Sequence, residues 1–106
     1  MTLDFQTKRA AREAILKLVY QKAEAQEHRY DDVRLLSALD QLAFVLYRDV
    51  IHELLQDLSD RGYIAYQQDR KLFRKKGELS IHSIQLTPRG RDIVEGIERD
   101  PAIGVE

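Results

Sequence analysis

Two groups of residues have the types and spacing to do chemistry. The first is cationic. Arg70, Lys71, Arg74, Lys75 and Lys76 fall between Gln67 and Gly77, with Asp69 as the single acid among them. Guanidinium and ammonium groups at that density suit a polyanion such as the phosphate backbone of duplex DNA. The second is a stripe. Arg48, His52 and Gln56 recur every four residues, so on a helix they project from one side. Arg can pair with guanine edges and Gln with adenine edges, and Ser59 carries the stripe further. Four acids oppose this reading. Asp49, Glu53, Asp57 and Asp60 against Arg48 and Arg61 leave the segment at −2. The plainer alternative is a solvated helix of mixed charge and a hairpin tip kept soluble by lysines.

Catalytic chemistry finds little support. His28, His52 and His82 are far apart and match no metal-ligand spacing. The chain has no cysteine, which excludes disulfides, thiol nucleophiles and thiolate metal sites. It has no phosphate-cradling glycine loop and no nucleophile elbow. Asp31 or Asp32 reads as a helix cap rather than as a working carboxylate pair. The expectation is a protein that is not an enzyme and takes no cofactor or metal.

Composition sets the frame for these groups. At 106 residues, 43% hydrophobic and 33% charged, the chain suits one globular domain over 1–106. Residues 1–6 are expected to be a lead-in and 100–106 a loose tail. Net charge is −1 and the pI about 6.3, which weighs against a dedicated nucleic-acid binder. The local concentration of cations weighs the other way. The apolar stretch Ala43 to Tyr47 is far too short to cross a bilayer, and the N-terminus shows no apolar signal segment. A cytoplasmic protein without membrane contact is expected.

The elements that must position these residues follow from periodicity. Thr7 to about Gln26 repeats at helical spacing, with Ala11, Ala14, Ile15, Leu18 and Val19 on one face. Lys8, Arg9, Arg12, Lys17 and Lys22 occupy the other sides. A second helix is read from Val33 to Leu42, with Leu35, Leu36, Leu39 and Leu42 inward. A third runs from Arg48 to Arg61 on a stripe of Ile51, Leu54, Leu55 and Leu58, and Gly62 suits its C-terminal cap. Ala43 to Leu46 stays open between two readings. It is either the turn between two helices, without the usual glycine and with Tyr47 where a capping residue would stand, or part of one long helix from 33 to 60.

Tyr63 to Tyr66 reads as a strand, Gln67 to Gly77 as a charged loop, and Glu78 to Leu86 as a second strand. In the latter, Leu79 and Ile81 share one face while Ile84 and Leu86 share the other. That switch suggests a bulge, or a strand covered on both sides at different points. Thr87-Pro88 starts a last helix running to about Ile97, with Ile93, Val94 and Ile97 inward. The order is α+β and mostly helical: three N-terminal helices, a two-stranded β wing and a C-terminal helix, as in a winged helix-turn-helix.

The phrases LLQDLSDRGYI and LTPRGRDIVEG, with the basic hairpin between them, resemble the end of MarR- and ArsR-like winged-helix domains. The whole chain is similar to the small winged-helix proteins of Mu-like phages and prophages, down to the short tail DPAIGVE. The resemblance implies a DNA-binding winged-helix protein of phage or prophage origin and a role in transcription regulation. It also implies homodimerisation through the first or last helix. Three features depart from it: no glycine in Ala43 to Leu46, Tyr47 at the capping position, and no cysteine for metal sensing. A protein–protein adaptor on the same fold is the competing expectation. The acidic third helix supports it, as do the tyrosines at 30, 47, 63 and 66, which are suited to interfaces.

Overall fold

The structure is a computed structural model that describes residues 4–24, 30–71 and 78–104. The elements are α1 (Phe5–Glu24), α2 (Asp32–Gln41), α3 (Arg48–Asp60), β1 (Ile64–Lys71), β2 (Glu78–Leu86) and α4 (Pro88–Val94). β1 and β2 form a two-stranded antiparallel sheet. This is the winged-helix architecture that the element order implies.

Each helix starts where a side chain can accept from its unpaired first-turn N–H groups, except α3. Asp4 accepts from the Thr7 N–H at 2.7 Å, so α1 begins at Phe5 and the expected lead-in is shorter than six residues. Residues 25 and 26, where α1 was expected to end, lie outside the described residues. Asp31 caps α2 by accepting from the Arg34 N–H at 2.8 Å. Thr87 caps α4 from the Gly90 N–H, with Pro88 at the first helical position. Tyr47, at the start of α3, makes no side-chain cap bond.

α2, α3 and α4 end alike. Gly62 bonds to the Ser59 carbonyl and Tyr63 to that of Leu58, the paired hydrogen bonds of a Schellman cap, with Gly62 at φ 83°. Gly96, at φ 80°, closes α4 in the same way through Ile93 and Asp92. This ends α4 at Val94 and leaves Ile97 exposed rather than inward. At the end of α2 the left-handed position is taken by Ala43, at φ 68°. Its N–H bonds to Asp40 O and that of Phe44 to Leu39 O. The chain therefore turns between α2 and α3, and there is no single helix from 33 to 60. The reversal also carries Leu42 to the surface, while Phe44 and Leu46 pack against the core.

The core is one cluster fed by every layer. Ala11, Ile15, Leu16 and Val19 come from α1, Leu35 and Leu39 from α2, and Ile51, Leu54, Leu55 and Leu58 from α3. Tyr63, Ile64, Ile81 and Ile84 close it from the ribbon. Leu16 was not among the expected inward residues of α1, whereas Ala14 and Leu18 are only half-buried.

β1 is longer than the expected Tyr63–Tyr66. Pairing with β2 carries it to Lys71, so the first residues of the expected loop are strand. Ala65 pairs with Gln85 and Gln67 with His82, so Tyr66 alone faces both Ser83 and Ile84. The extra residue is a bulge on β2, with Ser83 at φ 56°. It returns Ile84 to the face that Ile81 already occupies, and both are buried. The Ile84 N–H also bonds to the Tyr30 carbonyl.

Residues 100–104 of the expected loose tail are docked, and 105 and 106 lie outside the described residues. Arg12 Nη1 donates to Ala102 O at 3.0 Å, the Gly104 N–H reaches Arg9 O, and Ile103 packs against the core. Between this segment, α1 and α4 lies a cleft of about 490 Å³ with Leu16, Ile93, Val94 and Ile103 in its lining.

Candidate nucleic-acid interface

α3 packs against α2, β1 and α1. Its apolar stripe faces the core, and Arg48, His52 and Gln56 flank that stripe. The structure gives each of these three a partner. Arg48 Nε reaches Asp32 Oδ2 at 3.3 Å, and His52 Nε2 reaches the same oxygen at 2.6 Å. The backbone N–H of Ile81 on β2 donates to it as well, at 3.3 Å. Gln56 donates to Asp60 Oδ1 at 2.9 Å and accepts from the Tyr66 hydroxyl at 3.1 Å.

Asp32 is the residue that sequence reasoning missed. Its side chain is 0% exposed. Burial pushes the carboxyl pKa up, but the His52 and Ile81 hydrogen bonds and the Arg48 charge outweigh burial and hold it below the ordinary value. One carboxylate therefore ties α2, α3 and β2 together. Of the two aspartates expected as alternative caps, Asp31 is the cap and Asp32 is this anchor.

With Arg48 and His52 drawn toward Asp32, the exposed row of α3 is Asp49, Glu53, Gln56 and Asp60. Arg61, just past the helix end, turns to Asp57 at 3.0 Å and Asp100 at 3.4 Å. The helix thus presents carboxylates outward, as its sequence charge foreshadowed.

The cationic cluster is placed only in part. Arg70 and Lys71 belong to β1, paired through their backbones with Leu79 and Glu78. Arg74, Lys75 and Lys76 lie outside the described residues. His82, on β2, faces Asp69 Oδ2 at 2.8 Å and Ser83 Oγ at 3.1 Å, so the ribbon carries its own polar pairing. Four cations of α1 are engaged within the chain. Arg12 pairs with Asp57 at 2.9 Å and Lys17 with Glu13, while Arg9 lies over the Phe5 ring and Lys22 over the Tyr30 ring. No group of three or more metal-ligating side chains occurs among the described residues, and no described helix is long and apolar enough to cross a membrane.

No protein-family model matches the chain, and no curated protein matches it. Among solved structures, the chain is similar to the crystal structure of Bacillus subtilis PadR in complex with operator DNA. The two agree with a TM-score of 0.55 at 20% identity, over 85% of this chain and 47% of that one. This chain thus spans about half the length of that protein. At such low identity the likeness establishes the shared fold.

Proposed function

We propose that this protein binds duplex DNA as a small winged-helix module and acts in transcription regulation, with a phage or prophage origin as its sequence resemblance implies. The observation that carries the reading is mechanical. The Tyr66–Gln56 bond joins β1 to α3, and the Ile81 N–H shares the Asp32 carboxylate with Arg48 and His52, so α3 and the described part of the ribbon are tied into one surface. The PadR structure with the same fold holds operator DNA, which supports the reading by analogy. In this assignment α3 faces the major groove. Arg48, His52 and Gln56 meet base edges with their orientation preset by Asp32 and Tyr66. Arg70, Lys71, Arg74, Lys75 and Lys76 meet phosphates. Homodimerisation through the first or last helix, as the sequence resemblance implies, would present two such surfaces to a DNA site.

Fluorescence anisotropy with a random-sequence duplex, at low and near-physiological salt, tests this. Binding should weaken steeply with salt, by roughly 0.9 in log–log slope per phosphate contact. Replacing Arg74, Lys75 and Lys76 with Ala should flatten that slope by up to about 3 units. If the slope is unchanged, the wing makes no phosphate contact. If no duplex binds at low salt, the second reading takes over, a protein-binding adaptor. One feature favours it directly: the outward carboxylates of α3.

A further inference from the structure

We propose that the α2–α3 turn and the outer face of α3 dock a second copy of this chain, through that copy's cationic segment 70–76. The face is open and apolar at one end. Val45 and Tyr47 are 80% and 72% exposed, and Leu42 beside them in sequence is exposed too. Large contiguous apolar surface marks interaction sites, and three large apolar residues within six positions of the chain are exposed here. The Schellman cap at Ala43 puts them there, because it turns Phe44 and Leu46 inward and leaves the alternate positions outside.

After Tyr47 in the chain, α3 carries Asp49, Glu53, Gln56 and Asp60 as its exposed row. Asp32 draws Arg48 and His52 off this row, and Asp57 and Asp100 draw Arg61. The surface is therefore apolar at the helix start and anionic along its length. Its occupant should carry adjacent apolar residues flanked by cations.

The chain itself contains that complement. Arg70-Lys71-Leu72-Phe73-Arg74-Lys75-Lys76 sets two apolar residues between cationic groups. Leu72 and Phe73 suit the patch of Leu42, Val45 and Tyr47, and the flanking cations suit Asp49, Glu53 and Asp60. Reciprocal exchange between two copies closes a two-fold pair. This association needs no nucleic acid; it covers the α3 face and the cations that the DNA reading assigns to duplex, so the pair and a DNA complex exclude one another.

Sedimentation velocity of the purified chain, free of DNA, provides the test. The wild type should sediment as a dimer at low salt and dissociate as salt rises. Asp49→Lys with Glu53→Lys should be monomeric, and so should Arg74→Glu with Lys75→Glu. Mixing the two charge-reversed proteins should restore a dimer, since opposite charges again face each other. Asp49 and Glu53 are exposed, and unchanged circular dichroism would show that the variants fold. Tyr47→Ser should weaken the dimer at every salt concentration. A wild type that stays monomeric at low salt overturns the proposal. So does a dimer that survives either reversal, or a mixture that fails to associate.

Discussion

Asp32 is the one buried charged side chain among the described residues, and three donors converge on its Oδ2. A buried carboxylate costs several kcal/mol of lost hydration unless its partners make up for it. Removing it strands those partners. Asp32→Ala leaves His52 and Arg48 facing a void and takes the acceptor from the Ile81 N–H. The expected loss is about 3 kcal/mol, at the low end for a broken buried pair because Arg48 reaches solvent. Urea unfolding measures it. The pH dependence follows from the lowered pKa. The stabilisation is complete above the ordinary carboxyl value of 3.8 and is lost as pH falls from there through the lower native value. Asp100 behaves alike: burial raises its pKa, but the bonds from Tyr63 and Ala102 and the Arg61 charge lower it further. Asp32→Asn should therefore unfold more easily than the wild type at neutral pH, and the gap should narrow in acid. A gap that stays constant down the acid limb would place the stabilisation elsewhere. None of this was legible locally. The four-residue spacing of Arg48, His52 and Gln56 is visible in the sequence, but Asp32 meets the first two only because α2 packs against α3.

Helix ends decide the topology at the next scale. α2, α3 and α4 each finish in a left-handed residue whose following N–H returns to the last turn, and two of the three are glycines. Gly62 and Thr87-Pro88 were readable because capping chemistry is short-ranged. Ala43 was not, because a missing glycine argues against a left-handed turn. The fold accepts the strain there because Phe44 and Leu46 reach the core as a result. Ala43→Gly tests that account. The left-handed alanine costs about 1–2 kcal/mol, and glycine returns about 0.4–1 of that through its freer unfolded chain. A net gain of about 0–1.6 kcal/mol is expected in thermal or urea unfolding. A loss would mean that Ala43 carries no strain. The β2 bulge was half legible. The change of apolar face between Ile81 and Ile84 required an irregularity, but only the pairing with β1 locates it at Ser83. The same pairing extends β1 through charged residues that local propensity assigns to a loop.

Charge distribution is a property of the whole molecule, and there the sequence total of −1 conceals a division. Arg9, Arg12, Lys17 and Lys22 of α1 are engaged with neighbouring groups, α3 turns carboxylates outward, and the densest run of cations lies at 70–76. The C-terminal segment takes part as well. Asp100 accepts from the Tyr63 hydroxyl and pairs with Arg61, which keeps that cation away from the outer row of α3. If α3 lies in a DNA groove, Asp49, Glu53 and Asp60 each face phosphate across solvent. At ~10 Å in water a like-charge pair costs about 0.4 kcal/mol before screening, so three cost about 1 kcal/mol. Neutralising them as Asp49→Asn, Glu53→Gln and Asp60→Asn should then tighten duplex binding about fivefold at low salt. The gain should fade as the Debye length shrinks. The measurement is made at protein concentrations too dilute for self-association, so that freeing the wing from a second copy does not mimic it. Unchanged affinity, with wild-type binding intact, would mean that DNA is held by the wing and that α3 faces elsewhere.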